Sequence, residues 1–429
     1  MHDNSGHTGS YYAATANWQT HYPQLEGEHR CDVVVVGAGF TGVSAALHLV
    51  ERGYDVALVE ATRVGWGASG RNGGQLIDGM VEAGKLQEIG HKYGEPAAEI
   101  VRQVGVDCRD VVLERIEKYS INCDLKFGFL DVALKQADLD YFAVEVARKE
   151  KDSYPHKMQL LTKDELHTVI GSERYLGGLV HRANGHLHPL NLCLGEARAA
   201  AEQGARIFEQ SRVKQVVHGD RPSVITENGV VHASKVVLAG NAYLGKLEPR
   251  LYGQVIPAGS YIIATEPLDG ALARELLPQD MAVCDQRVGL DYFRLSADKR
   301  MLFGGLCNYS GRNPKDITVA IRPNMLKVFP QLHDVHVDYE WGGYIAISIR
   351  RIPQFGRIGG NTWYAQGYSG HGLAPTHIAG QILAEAIAGD MERFDVFEKI
   401  HHWKFPGGKW FANPALALGM LYYRLQEIL

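Results

Sequence analysis

The clearest pattern of apolar and polar positions lies between Cys31 and Gln75. Val33–Val36 is an unbroken β-branched run, which predicts a buried strand. Thr41–Arg52 reads as a helix, with small Ala45 and Ala46 where it can pack close to a sheet, and Gly53 stands where a C′ glycine would stop it. Tyr54–Val59 is a second strand, closing on Glu60. Further on, 81–120 predicts helices, because Val101, Val104, Cys108, Val111 and Val112 recur at helical spacing. Lys126–Leu134 alternates as a strand, 136–150 returns to helix, and Thr162–Glu165 has the form of a helix start. Asn191–Gln203 reads as helix, Ala205–Val217 as two short strands, and Val231–Gly245 as a buried strand with a glycine turn. Strand-like runs return at Gly259–Thr265, Leu290–Leu295, Met301–Gly304 and His336–Trp341. Trp363–Asp390 reads strand, glycine loop, helix.

Between the first strand and helix stand Gly37, Gly39 and Gly42, in GxGxxG spacing. Gly37 permits the tight turn, Gly39 lets backbone approach a pyrophosphate, and Gly42 lets helix and strand pack closely. The helix then turns its free N–H groups and positive dipole end toward phosphate. Glu60 is near the spacing expected of an acid that holds ribose hydroxyls. A lone GxGxxG is a weak signal. Strand, glycines, helix, second strand and acid together predict a dinucleotide site. Glu60 disfavours NADP, since a carboxylate would face the 2′-phosphate, and leaves NAD and FAD. The glycine-rich Arg63–Gln75 loop favours FAD, because it can follow a long cofactor beyond its pyrophosphate.

Composition narrows the picture. The 429 residues, 45% hydrophobic, suffice for two or three domains with a large core. A net charge of −5 argues against nucleic acid as partner. Val33–Val50 is uncharged and about long enough to cross a membrane, but the glycines and the strand that follows argue against a span. Six cysteines at irregular spacing, without CxxC or a zinc pattern, fit free thiols in a reducing cytoplasm. Residues 1–29 are polar and aromatic, without the pattern of a signal peptide. Within them Ser10–Trp18 is an aromatic-rich arm, expected to brace the body of the protein. His186 and His188 would share one face of a strand. Metal would need a third ligand that the sequence does not bring near, so none is expected. Packing, or a contact to cofactor or substrate, stays open.

The Cys31–Gln75 stretch resembles the FAD-dependent amino-acid and amine oxidase family, which contains the D-amino acid, glycine and sarcosine oxidases. The words GASGRNGGQ, and the opening Ser10–Trp18 phrase, are most similar to its γ-glutamylputrescine oxidoreductase branch. The resemblance implies an α/β fold: a Rossmann-like FAD-binding domain and a discontinuous second domain on a mainly antiparallel sheet. The expected division is an arm at 1–29, FAD-binding segments 30–105, 175–248 and 345–429, and substrate-binding segments 106–174 and 249–344. The FAD site would take Gly37, Ala38, Gly39, Phe40, Thr41 and Gly42, then Glu60, Ala61 and Arg63. Gly67, Ala68, Ser69, Arg71, Asn72, Gly73, Gly74 and Gln75 would follow the cofactor onward. Val213 would lie against the adenine. Gly240, Gly343 and the Gly370-His371-Gly372-Leu373 motif would complete the site, the last offering a helix N-terminus to the flavin. His188 and His371 are implied as catalytic. Tyr292, Arg294 and Arg351 are implied as substrate-binding, with Arg350 able to replace Arg351. For Tyr292 and Arg294, core packing and an exposed salt bridge are equally good readings.

The activity so implied is oxidation of the primary amine of a γ-glutamylated polyamine to the aldehyde and ammonia, with oxygen or another electron acceptor. A small-amino-acid oxidase, or a flavoprotein that turns nothing over, remain alternatives. Two departures stand out. Arg351–Gly360 lacks the cysteine by which some relatives bind flavin covalently, so non-covalent FAD is expected. Leu302–Asn308 lacks the lysine by which sarcosine-oxidase relatives activate oxygen. A cytoplasmic, membrane-free protein is expected. The sequence leaves its oligomeric state open.

Overall fold

The computed structural model describes residues 6–287, 289–308 and 313–405. Two sheets organise them. Gly27–Val36 is central to the first, pairing in parallel with Val56–Val59 on one side and Gly229–Leu238 on the other. The full order is Gln354–Ile358, Thr362–Gln366, Gly229–Leu238, Gly27–Val36, Val56–Val59, Arg206–Phe208. Only Gln354–Ile358 runs antiparallel along this path. Ser223–Ile225 and Gln215–Val217 extend the sheet beside the first half of Gly229–Leu238. Parallel strands covered on both faces need apolar residues on both, which is why Val33–Val36 and Val56–Val59 are wholly buried runs. Helices Phe40–Val50 and Leu373–Ala388 cover this sheet and lie almost backbone to backbone: a Cβ on Gly380 would come within 2.6 Å of Ala45 N.

The second sheet has the order Val337–Ser348, Val255–Thr265, Met301–Asn308, Tyr292–Leu295, Ala282–Asp285, Lys126–Ala133, Gly177–His186, Gln75–Leu76, with Met158–Thr162 beside Gly177–His186. It is antiparallel except where Ala282–Asp285 meets Lys126–Ala133. Its core includes Phe293 stacked on Phe303, ring centroids 5.2 Å apart, with Phe329 edge-on. The fold is therefore the expected α/β arrangement: a Rossmann-like sheet joined to a mainly antiparallel one.

The chain crosses between sheets at places that the expected segments do not mark. Gly177–His186 and Gln75–Leu76 hydrogen-bond into the second sheet. Helix Glu95–Lys118 runs unbroken through the expected boundary after 105, and strand Val337–Ser348 through that after 344. Apolar pattern reports burial, not which sheet supplies the neighbour. Residues 1–5 of the arm and 406–429 of the last segment lie outside the described residues.

Candidate active site

The site begins where the first sheet changes direction. Gly37 leaves the central strand at φ +104, beside Ala239 and Gly240 at the end of the neighbouring strand, and a Cβ there would stand 3.0 Å from Ala239 O. A Cβ on Gly42 would overlap the carbonyl of Gly37. This crevice at the carboxyl ends of parallel strands is where open α/β sheets bind ligands. Helix Phe40–Val50 has no cap from its own N-cap residue, Gly39. Phe40 N donates instead to Ser69 Oγ at 2.9 Å, which sets Ser69 on the helix N-terminus. Ala38 N donates to Glu60 Oε2 at 2.8 Å, and Thr62 N and Oγ1 to Oε1 at 2.9 and 3.0 Å. A carboxylate has about four acceptor positions, so one is left for a ribose hydroxyl. Burial raises the Glu60 pKa against the pull of these donors. Ser211 N donates to Glu60 O at 2.8 Å, so the loop that carries Val213 runs past the acid, with Ala61 next to it. Arg63 Nη1 pairs with buried Glu209 at 2.8 Å.

The loop after Arg63 is held from within. Ala68–Gly70 forms one 3-10 turn, against which Gly67 faces Tyr243. Arg71 lies over the Trp66 ring at 4.2 Å and donates to Trp66 O at 2.7 Å and Gly342 O at 3.1 Å. Gly343 lies against the Arg71 side chain, where a Cβ would come within 3.1 Å of Cδ. Asn72 donates to Ser69 O at 2.8 Å and accepts from Gly74 N at 2.8 Å. Gly73 faces the Tyr292 ring, and Gln75 Nε2 donates to Val283 O at 3.1 Å, between two strands of the second sheet.

Two expected side chains are committed elsewhere. Arg294 is buried, and every donor is engaged: Nε to Gly73 O at 2.7 Å, Nη2 to Leu187 O at 2.8 Å and Tyr12 Oη at 3.1 Å, Nη1 to Leu295 O at 3.1 Å and His186 Nδ1 at 3.5 Å. It ties the arm, the glycine loop and the second sheet together, and leaves no donor for a substrate carboxylate. His188 does not share a strand face with His186. The strand ends at His186, and His188 is the N-cap of helix Pro189–Glu202, its Nδ1 accepting from Asn191 N at 3.1 Å. Nε2 therefore carries the proton and donates to Thr15 Oγ1 at 3.1 Å, while the ring packs edge-on to Tyr12. With both nitrogens used and the ring buried, His188 is a brace for the arm rather than a catalytic group. His186 Nε2 donates to Asp280 O at 2.7 Å. Burial, with the Arg294 charge, pushes both histidines down to about 3.

The C-terminal motif meets the N-terminal one directly. Tyr368 Oη bonds Thr41 Oγ1 at 2.8 Å, and Ser44 Oγ donates to His377 O at 2.7 Å. Gly370 takes φ +96, and Gly372 is the N-cap of Leu373–Ala388 without a side-chain cap bond. Two helix N-termini thus sit side by side, the first with its Phe40 N–H held by Ser69 Oγ and the second without a side-chain cap.

Beside this motif opens a cavity of about 600 Å³, lined by His371, Arg351, Tyr368, Asp78, Lys149 and Tyr154 among others. Asp78 Oδ1 accepts from Asn184 Nδ2 at 2.9 Å, and Lys149 Nζ stands 3.3 Å from Oδ2 and 3.8 Å above the Tyr154 ring. Burial favours neutral Asp78, but Lys149, Tyr154 and Asn184 outweigh it and hold the carboxyl down to about 2. Desolvation lowers the His371 pKa, opposed by the Asp78 charge and by hydrogen bonds to the backbone of Gly79 and Asp78. Arg351, at φ +53, is exposed to the cavity. Arg350 turns the other way: it is buried, paired with Glu88 at 2.6 Å and bonded to His401 O at 3.0 Å. Sequence reasoning missed Asp78, although it closely follows the glycine loop. It also missed Lys149 and Tyr154, which have no motif and come from another part of the chain.

These residues fit FAD. The helix N-termini suit a pyrophosphate and an electron-rich ring edge. Half-buried Gly37 and Gly39 leave backbone accessible in the crevice, with Gly42 buried behind them, and Glu60 keeps an acceptor. Comparison with known proteins agrees. The profile of the family described as FAD dependent oxidoreductase matches residues 32–386. The gamma-glutamylputrescine oxidoreductase of Escherichia coli (strain K12) is 43% identical over 98% of this chain and 98% of its own length. A protein named probable oxidoreductase OrdL, from Haemophilus influenzae, is 42% identical over 98% and 97%. Among solved structures, glycine oxidase from Bacillus cereus superposes with a TM-score of 0.69 at 22% identity, covering 85% of this chain and 97% of that one.

Proposed function

This chain belongs to the FAD-dependent oxidoreductase family and is an FAD-dependent enzyme, and from that premise we propose that it oxidises the free primary amine of a γ-glutamylated polyamine such as γ-glutamylputrescine. The products are the γ-glutamylamino aldehyde and ammonia, with hydrogen peroxide where oxygen is the acceptor. The observation that carries this reading is the 43% identity, end to end, to a relative named for that substrate.

Gly37–Gly42, Glu60, Ser69, Arg71 and the Gly372–Leu373 helix start are the residues that would hold FAD, and Val213 would meet its adenine. When bound, FAD supplies the two-electron acceptor. The chain's own tasks are three. An amine with a lysine-like pKa of about 10.4 costs roughly 4.6 kcal/mol to neutralise at pH 7. Enclosure in the cavity beside Tyr368 supplies part of this by desolvation, and His371, on the cavity wall, is placed to relay the proton to solvent. The open N-terminus of Leu373–Ala388 favours negative charge by about 0.3–1 kcal/mol, or up to roughly 2 when partly buried. Arg351 binds the substrate carboxylate far from the reacting carbon, and that remote contact positions the amine. The imine left by oxidation adds water and releases ammonia.

The test is steady-state turnover with oxygen or a dye acceptor, across γ-glutamylputrescine, putrescine, glycine and sarcosine. The expected result is a kcat/KM for γ-glutamylputrescine at least tenfold above every other compound. Preference for glycine or sarcosine would overturn the assignment.

A further inference from the structure

The cavity is lined by eight charged side chains: Asp78, Glu82, Arg102, Glu145, Arg148, Lys149, Asp152 and Arg351. Six of them are already engaged. Lys149 pairs with Asp78, Arg148 pairs with Glu145 at 2.6 Å and Asp152 at 2.9 Å, and Arg102 pairs with Glu99 and donates to Asp152 O at 3.0 Å. Glu82 and Arg351 are the two left over. Neither side chain has a partner among the described residues, and the two are opposite in sign.

Neither is left over by accident of a loose tail. Glu82 is the N-cap of helix Ala83–Tyr93, yet its carboxylate makes no cap bond. It is exposed, near enough to Tyr141 on the same wall to raise that phenol's pKa alongside burial, Glu145 and Asp131. Arg351 adopts a left-handed backbone at φ +53, which a non-glycine residue holds only at a cost. The neighbours explain how that conformation is kept: Arg350 is buried against Glu88 on one side, Ile352 is fully buried on the other, and Arg351 N donates to Ser348 O at 3.2 Å. The turn therefore presents one arginine inward and the next to the cavity.

We propose that Glu82 and Arg351 together form a clamp for an α-amino-acid head group, Glu82 taking its ammonium and Arg351 its carboxylate. The inference rests on the substrate reading above and adds to it a specificity residue, Glu82. The ammonium and carboxylate of such a head group are complementary to two unpaired charges of opposite sign on the wall of one cavity. A plain diamine offers Glu82 an ammonium but Arg351 no carboxylate, so it engages only half of the clamp and sets a second cation near the guanidinium. A cavity of about 600 Å³ is within the range of roughly 300–1,000 Å³ usual for small-molecule sites, and Tyr141 lies on the wall beside Glu82, where an aliphatic linker can pack.

The test uses flavin-loaded enzyme and three amides of putrescine. One carries the γ-glutamyl group, one a glutaryl group without the ammonium, and one a 4-aminobutanoyl group without the carboxylate. Wild type is expected to prefer the γ-glutamyl compound over each of the others by at least tenfold in kcat/KM. In Glu82→Gln the preference over the glutaryl compound falls to within threefold, while that over the aminobutanoyl compound is kept. In Arg351→Gln the pattern is reversed. Equal losses on all three compounds in either variant, or an unchanged preference in Glu82→Gln, would overturn the clamp. If wild-type enzyme oxidises putrescine as well as its γ-glutamyl amide, the substrate reading itself fails. That outcome is read from wild type alone.

Discussion

Three arginines look alike in the sequence and differ in what surrounds them. Arg294 gives all its donors to backbone, Tyr12 and His186, Arg350 is spent on Glu88 and His401, and Arg351 alone of the three faces the cavity without a partner among the described residues. Arg351→Ala should lower kcat/KM for γ-glutamylputrescine at least tenfold, about 1.4 kcal/mol, and change putrescine oxidation far less. Arg294→Ala should instead act on stability. It leaves the carbonyls of Gly73 and Leu187 without their partner, at a cost on the order of 1–3 kcal/mol each, read as a lower Tm and a loss of bound flavin. The partners that Arg294 and His188 have in the structure were not legible in the sequence for one physical reason. Spacing along a strand tells which side chains share a face, but not which backbone carbonyls from distant loops reach them. For His188, the strand also stops two residues earlier and hands the histidine to a helix cap.

At the scale of elements, the glycine motif was legible because several independent requirements coincide within one short stretch. A parallel strand must be apolar on both faces, the turn needs φ +104 at Gly37, and helix and strand must touch at Gly42. The C-terminal helix was legible as strand, glycine loop, helix, but not its direct hold on the first motif through Tyr368 and Thr41. Gly39→Val should abolish FAD binding, since a branched side chain would occupy the path by which the pyrophosphate approaches the backbone, where even a Cβ already comes within 2.8 Å of Ser69 Oγ. Glu60→Ala should weaken binding more mildly by removing charge-assisted bonds to ribose. Flavin absorbance of the purified variants against protein content checks both. A fully flavinated Gly39→Val protein would contradict this placement of the phosphates.

The whole molecule joins a mainly parallel and a mainly antiparallel sheet through buried polar staples, and these have a pH signature. His186 and His188 are held near pKa 3 when folded, against about 6.5 when unfolded. Between those values the unfolded chain binds more protons, so stability is complete above about 6.5 and falls as pH drops toward 3. Each histidine contributes a slope of about 1.4 kcal/mol per pH unit in that window. Denaturant titration at pH 7 and pH 5 should show it, and His186→Gln should reduce the two histidines' joint slope by about half. No helix among the described residues is long and apolar enough to cross a membrane. With no cysteine in 351–360 to tether the cofactor, acid precipitation should release the flavin to the supernatant. Flavin retained in the pellet would contradict non-covalent binding. The most direct measurement of the central claim is made without oxygen: flavin-loaded enzyme is mixed with γ-glutamylputrescine or with putrescine, and the yellow absorbance is followed. The account predicts that γ-glutamylputrescine bleaches the flavin at least ten times faster than putrescine at equal concentration. A flavin that stays oxidised in γ-glutamylputrescine, or that bleaches equally fast with both amines, would contradict it.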